Sequence, residues 1–424
     1  MSAVSKFKKR FYFVAAGYFK FFADRALRRW APRIIAITGS VGKTTMLHLI
    51  EEELGSRAHY SHDANSAFGV AFDLVNIKGI KGSKLRWLYL FIAVPIKSLF
   101  YRHQEEFYVV EIDGERPHEA EFVASWLEPE VSLWISFGLS HAVQFDKQVK
   151  SGLYPDLETA IAHEFSTIPQ HTVRQVYIDG DIPQMVAATE GIQARVTKCY
   201  KSELEKYTVY PDHSDFTISD HAFHFAAPQP KDLAIQLIML EKLCKFLKIK
   251  LTTDFSSLPL PPGRSSYFEG INGLKLIDSS YNAHLISMES ILEMAKSLRA
   301  PHKWLVIGDI VDQGSIESEE HAKLAAAIAS VKPEQVVLVG RRTKKYTLPI
   351  LKKQKIKVVS FLEPTEALAY IKKHTKGRET IIFKGSQYLE WIVEKLLKNP
   401  ADAKKLPRRE KAAVMRRKKR GLDS

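Results

Sequence analysis

The chain has 424 residues, of which 45% are hydrophobic and 26% charged, so it is a folded globular protein and not a disordered one. That length predicts two or three domains. Its two cysteines, Cys199 and Cys244, form no CxxC pair, which argues against a disulfide framework or a cysteine zinc site and fits a reducing cytoplasm.

The formal net charge of +14 gathers at the two ends. Residues 1–32 read as one basic amphipathic helix, with Phe11, Val14, Ala15, Tyr18, Phe22 and Leu27 at helical spacing. Such a helix either lies in a membrane interface or packs on the domain that follows. No secretory signal is evident, because Lys20 breaks the first apolar stretch and no small-residue cleavage site follows. Leu85 to Phe100 is the most apolar run, but it holds Arg86, Pro95 and Lys97. It is shorter than the ~20 residues a spanning helix needs, so no transmembrane segment is expected.

Arg33 to Thr38 predicts a buried strand, followed by a Gly-rich turn and a helix from Thr44 to Leu54. Strands are expected at Phe107 to Ile112, Val131 to Ser136 and Val173 to Ile178, with a helix at Leu157 to Phe165. The run LPLPPGR from Leu258 reads as a linker. Beyond it, strands are expected at 274–278, 304–307, 335–339, 358–361 and 380–383. Helices are expected at 287–298, 321–329, 365–374 and 389–397. Alternating strands and helices predict α/β architecture with mainly parallel sheets. The expected division is a basic helix over 1–32, a P-loop central domain over 33–262, a Rossmann-like α/β domain over 263–400 and a solvated basic tail over 401–424. That tail has no interleaved aromatic residues, which argues against nucleic acid as a partner.

The strongest signal is the strand–turn–helix segment Thr38-Gly39-Ser40-Val41-Gly42-Lys43-Thr44-Thr45. Backbone N–H groups of such a turn cradle phosphate oxygens at a helix N-terminus. Lys43 would neutralise the outer phosphates and the Thr44 hydroxyl would reach magnesium. The usual P-loop places a glycine where Ile37 stands; here Gly39 supplies the turn.

The form TGSVGKTT resembles the phosphate loop of Mur ligases, and further segments follow in that family's order. Val110-Glu111-Ile112-Asp113 resembles the family's Val-Glu-Leu-Gly, which implies that Glu111 binds magnesium. Gly138-Leu139-Ser140-His141 resembles Gly-x-Ala-His, which implies His141 at a metal. Pro262-Gly263-Arg264 matches the family's Pro-Gly-Arg, which implies Arg264 on nucleotide phosphate. Asp278-Ser279-Ser280-Tyr281-Asn282-Ala283 resembles Asp-Asp-Ser-Tyr-Asn-Ala, which implies that Asp278 and Asn282 touch the nucleotide. Asn65-Ser66, Gly308-Asp309-Ile310 with Gly314 and His321, and Lys384-Gly385-Ser386 resemble the family's D-alanyl-D-alanine-adding branch, which implies Asn65, Ser66, Asp309 and Lys384 at substrate.

The resemblance implies an ATP- and magnesium-dependent ligase. It would join a carboxylate to an amine through an acyl phosphate, in peptidoglycan precursor synthesis. Its substrates would be a nucleotide-sugar peptide and a dipeptide, and it would be a cytoplasmic monomer, at the inner membrane face if the first helix binds lipid. Three departures stand out. Residues 1–32 occupy the place of the family's UDP-gripping domain. Ala162, before His163 and Glu164, occupies the place of a carbamoylated lysine, so a second metal site would be missing or rebuilt with His163. Asp179, before Gly180 and Asp181, replaces an asparagine of the adenine site. A different, lipid-linked acceptor, an inactive ATP-binding scaffold and a P-loop kinase remain the alternatives.

Overall fold

A computed structural model describes residues 3–62, 64–79, 84–114, 116–139, 142–281, 283–311, 313 and 316–422. By backbone packing the chain divides into two compact units. One takes in 1–138, 144–200 and 239–251, the other 139–143, 201–238 and 252–424.

The first unit opens with α1 (Ala3–Trp30), β1 (Arg33–Thr38), α2 (Lys43–Leu54) and β2 (Ala58–Tyr60). Then come α3 (Ala67–Asp73), α4 (Lys84–Phe100), β3 (Phe107–Glu111), α5 (Glu119–Leu127) and β4 (Val131–Trp134). It continues through α6 (Asp146–Lys150), α7 (Leu157–Gln170), β5 (Gln175–Asp179), α8 (Pro183–Ala188) and β6 (Arg195–Cys199). The strands form one six-stranded sheet in the order β2-β3-β1-β4-β5-β6, parallel throughout. β1 is central, and Ile34 to Thr38 are buried, as a parallel strand covered on both faces requires. Arg33 at its start pairs with Glu130 at 2.7 Å.

α1 packs on this unit. Ala15, Ala16, Phe19, Ala23 and Leu27 enter a core shared with α3, α4 and α5. The expected apolar face therefore splits, with Ala15 and Leu27 inside and Val14 and Tyr18 outside. The apolar run at 85–100 folds as α4. No helix among the described residues is long and apolar enough to cross a membrane.

The second unit holds β7 (Leu204–Val209), β8 (Ser214–Ile218) and β9 (His221–Phe225), an antiparallel meander the sequence reading did not anticipate. α9 (Leu233–Leu247) follows, its residues from 239 on counted with the first unit, and then β10 (Ser266–Glu269). Then β11 (Lys275–Ser279), α10 (Leu285–Ser297), β12 (Lys303–Gly308), α11 (Glu317–Val331) and β13 (Gln335–Val339) alternate. The unit ends with α12 (Leu348–Lys353), β14 (Val358–Phe361), α13 (Pro364–His374), β15 (Thr380–Lys384), α14 (Leu389–Leu396) and α15 (Lys411–Lys418). The sheet order is β10-β11-β15-β12-β13-β14, with β10 alone antiparallel.

The basic C-terminal stretch is not a free, solvated tail. Arg409 and Arg417 converge on Glu394 at 2.7 and 3.0 Å, and Arg417 is buried. Arg408 holds the fully buried Glu390 at 3.1 Å. Glu390 is fully buried and Glu394 partly so; carboxylates withdrawn from water need cations, and these arginines supply them. Neither cysteine is in a disulfide, and both are buried.

Candidate active site

The Gly39–Gly42 loop leaves the C-terminal end of β1, between β3 and β4, where open parallel sheets place ligand sites. Gly39 has φ +139°, and a Cβ there would lie 2.9 Å from the Ser136 carbonyl and hydroxyl oxygens, so only glycine fits. Ser136 staples the loop: Val41 N donates to its Oγ at 2.9 Å, and that hydroxyl donates to Val41 O at 2.7 Å. Ser40 Oγ is likewise engaged by the Gly138 backbone, donating to its oxygen at 2.9 Å and accepting from its nitrogen at 3.0 Å. Gly42 sits at φ +88° as the N-cap of α2, with no side-chain cap over the first turn. Those first-turn N–H groups and the helix dipole form an anion-binding end.

Lys43 and Thr44 open α2, followed by Thr45. Lys43 Nζ donates to Gly39 O at 2.5 Å and lies 2.7 Å from Asp113 Oδ1, both side chains being largely buried. Thr44 Oγ1 donates to Glu111 Oε2 at 3.2 Å. Glu111 ends β3 and is buried, and its backbone N–H is held by Ser61 Oγ at 2.9 Å. Two oxygens 3.2 Å apart fit one edge of a magnesium octahedron, which at ligand distances of 2.0–2.1 Å is about 2.9 Å long.

Asn65 and Ser66 lie beside this cluster. Asn65 Nδ2 donates to Asp113 Oδ2, and Asp113 N donates to Asn65 O at 3.0 Å. Ser66 caps α3, its Oγ accepting from Gly69 N at 3.2 Å. Asp113 closes the Val110–Asp113 motif, where the resemblance implies no role for it. The signal was there: an aspartate stands where the resembled motif has glycine.

On α7, Ala162 is buried and His163 is exposed beside Tyr154, with ring centroids 5.3 Å apart. His163 belongs to no three-residue metal-ligand group among the described residues. Glu164 turns inward and caps α5, accepting from His118 N at 2.7 Å and Ala120 N at 2.8 Å. Burial raises its pKa against those two donors. Asp179 is buried, and its Oδ1 accepts from Asp181 N at 2.9 Å. His141 and Asn282 lie outside the described residues.

The second unit gathers Arg264, Asp278 and Lys384. Asp278 and Lys384 lie on the adjacent strands β11 and β15, where Ser279 pairs with Lys384. Asp278 is fully buried; desolvation raises its carboxyl to about 6, with Ser280 N donating to Oδ1 at 3.0 Å as partial compensation. Lys384 is buried too, and desolvation, with Arg264 next in weight, lowers its pKa to about 7. The Arg264 guanidinium lies 5.2 Å from the Tyr281 ring centroid.

Asp309 binds three strand ends together. Its Oδ1 accepts from Thr343 N at 2.8 Å and Thr343 Oγ1 at 3.0 Å, and its Oδ2 from Gln387 Nε2 at 3.1 Å. Its carbonyl accepts from Ser386 Oγ at 2.8 Å. Glycine is required around it: a Cβ on Gly308 would meet Ser386 O at 1.9 Å, and one on Gly340, at φ +124°, the Asp309 carboxylate at 2.4 Å.

Comparison with known proteins shows what the chain is similar to. Residues 263–387 match the model of the Mur ligase glutamate ligase domain. Over 392 residues the chain is 22% identical to the UDP-N-acetylmuramoyl-tripeptide–D-alanyl-D-alanine ligase of Bacillus subtilis, covering 89% of this chain and 79% of that one. In fold it is similar to a crystal structure of MurF from Acinetobacter baumannii, with a TM-score of 0.69 at 18% identity, covering 90% and 80% of the two chains. It is also similar to MurF ligase from Thermotoga maritima in complex with ADP, with a TM-score of 0.66 at 16% identity, covering 89% and 82%. The chain thus carries a Mur ligase domain over 263–387 and, with its phosphate loop at 38–45, is similar over most of its length to Mur ligases, which form amide bonds at the expense of ATP.

Proposed function

We propose that the chain adds a D-alanyl-D-alanine dipeptide to a UDP-N-acetylmuramoyl-tripeptide. The observation that carries the chemistry is the Gly39–Thr45 turn on α2, with Thr44 and Glu111 oxygens 3.2 Å apart beside Lys43. The substrate assignment is supported by the name of the Bacillus subtilis relative and by the Asn65, Asp309 and Lys384 motifs.

A substrate carboxylate oxygen attacks the γ-phosphorus of ATP and ADP leaves, giving an acyl phosphate. The amine then attacks the acyl carbon, phosphate departs with its oxygen, and the amine loses a proton. Phosphoryl transfer spreads charge over the phosphoryl oxygens, so cations around them lower the barrier. Lys43 supplies one, and the loop N–H groups orient the phosphates. Thr44 and Glu111 would hold magnesium, which would supply further charge neutralisation to the phosphates. Arg264 and Asp278 are proposed at the nucleotide, and Asn65, Ser66, Asp309 and Lys384 at the substrates, on the family's motifs. The hydrogen bonds of Ser66 and Asp309 make them positioning residues within that assignment. The enzyme would act as a monomer, with peripheral membrane contact.

The test is incubation with ATP, magnesium, UDP-N-acetylmuramoyl-tripeptide and D-Ala-D-Ala, read by mass spectrometry. Ligated pentapeptide with ADP and phosphate, absent in Lys43→Ala, is the expected result. ADP release without that product would keep the ligase and overturn the acceptor.

A further inference from the structure

α4 is apolar almost all round, yet the protein covers only one side of it. Leu90, Val94 and Ser98 face the core at four-residue spacing. On the other side Leu88, Ile92, Ile96 and Leu99 are 68%, 59%, 51% and 41% exposed, joined by Tyr89 and Phe100. Beside α4, α1 shows a second exposed stripe: Val14, Tyr18 and Phe21, continued at helical spacing by Arg25 and Arg28. Tyr18 ties the two stripes together, its hydroxyl donating to Phe91 O at 2.8 Å and its ring 5.0 Å from that of Phe91. These two helices carry nine of the sixteen exposed large apolar side chains among the described residues. A patch of that kind on a folded protein marks a binding surface.

Charge identifies what covers it. α1 has eight basic residues and one acidic one, α4 three basic and none acidic, so the pair holds ten of the chain's net +14. Among the described residues, two of these cations are engaged by backbone carbonyls and not by carboxylates. Arg29 donates to Ser98 O at 2.6 Å and Tyr101 O at 3.0 Å, and Lys97 to Asn76 O at 2.8 Å. A second copy of this chain would bring the same cations face to face across a two-fold axis. α4 has 17 residues and contains Pro95, so it is too short to cross a bilayer and suits lying along one.

We propose that α4 and the outer stripe of α1 form one docking surface for a bilayer carrying anionic lipids. The helices lie in the interface plane, with the apolar side chains among the acyl chains and the arginines and lysines at the headgroups. This deepens the proposed peripheral contact and does not depend on the ligation chemistry. It also moves the contact: the α1 face around Phe19 and Ala23 is in the core, and α4 supplies most of the apolar surface.

The experiment is flotation of the full chain with vesicles of equal parts phosphatidylglycerol and phosphatidylcholine, and with phosphatidylcholine alone. The wild type should float with the anionic vesicles, more weakly with the neutral ones. Leu88→Glu with Ile92→Glu should lower the anionic partition by about tenfold or more, since each exchange sets a charge where an apolar side chain enters lipid. Both positions are mostly solvent-exposed, so thermal stability and ATP turnover should be unchanged. Wild-type protein that stays with the free fraction for both vesicles overturns the proposal. So does a wild-type dimer in sedimentation velocity that the same pair of substitutions dissociates, because the patch would then bind a second copy. Ligation activity is read separately, so loss of one reading leaves the other standing.

Discussion

Asp113 offers a specific test of how the phosphate loop works. Lys43 Nζ sits 2.7 Å from Asp113 Oδ1, with side-chain exposures of 14% and 8%. To reach an incoming phosphate the ammonium must leave that carboxylate, which would itself repel the phosphates. At 2.7 Å the bare Coulomb attraction is about 6 kcal/mol with an effective dielectric of ~20, and desolvation offsets much of it. A hydrogen bond to a charged group is worth roughly 1.5–3 kcal/mol net. Asp113→Asn keeps an oxygen for Asn65 Nδ2 and removes the charge facing Lys43. ATP should therefore bind about tenfold to a hundredfold more tightly, at 1.4 kcal/mol per factor of ten. Isothermal titration of ATP into wild type and variant, with and without magnesium, measures this. Unchanged or weaker binding in a variant that melts like wild type would refute the idea that Asp113 restrains Lys43.

Thr44→Val removes both the hydroxyl proposed for magnesium and its bond to Glu111. Turnover should fall on the order of a hundredfold, while magnesium-free ATP binding stays within a few-fold, as comparison of kcat with titration would show. Gly340→Ala places a Cβ 2.4 Å from the Asp309 carboxylate at φ +124°, so unfolding free energy should drop by about 2–5 kcal/mol in denaturant melts. A near-unchanged midpoint would mean that the three strand ends shift easily. The buried pair on β11 and β15 gives a pH signature. Lys384 has its folded pKa lowered to about 7, so its contribution to stability is full above the unfolded value near 10.4 and is lost as pH falls through about 7. Asp278, raised to about 6, acts in the opposite sense: its contribution is full below the unfolded value near 3.9 and is lost as pH rises through about 6. Between pH 7.5 and 9 the wild type should gain stability relative to Lys384→Met by about 1–2 kcal/mol, and parallel melting curves would contradict the assignment.

Much of the architecture was legible because hydrophobic runs and turn chemistry agreed. β1, β13 and β14 fall where alternation and β-branched residues put them, and α2 begins beside the Gly42-Lys43 turn. The meander β7–β9 was missed because its strands are short and mostly half-exposed: Leu204 to Tyr207 show no continuous apolar run. α4 was visible only as an apolar run with basic residues in it. Which of its faces the core would claim depends on Phe19 and Phe91, 72 residues apart in the chain, meeting, which local patterning does not encode. In the candidate site, the motif order singled out Thr44 and Glu111, which hydrogen-bond in the structure, and Lys43 beside Thr44. Sequence could not show that Ser136 holds the loop, that Glu164 caps α5, or that Asp309 is occupied by Thr343 and Gln387, since each depends on long-range register. The basic C-terminus reads as solvated because its partners Glu390 and Glu394 lie on a different helix, and that pairing depends on tertiary packing that the local charge run does not encode.

The central claim is that a substrate carboxylate is phosphorylated before the amine attacks. The measurement is ligation with the acceptor carboxylate labelled with heavy oxygen, followed by mass spectrometry of the released phosphate. An acyl-phosphate route transfers one labelled oxygen to inorganic phosphate in each turnover, and Lys43→Ala releases none. Amide product formed with unlabelled phosphate would contradict the account.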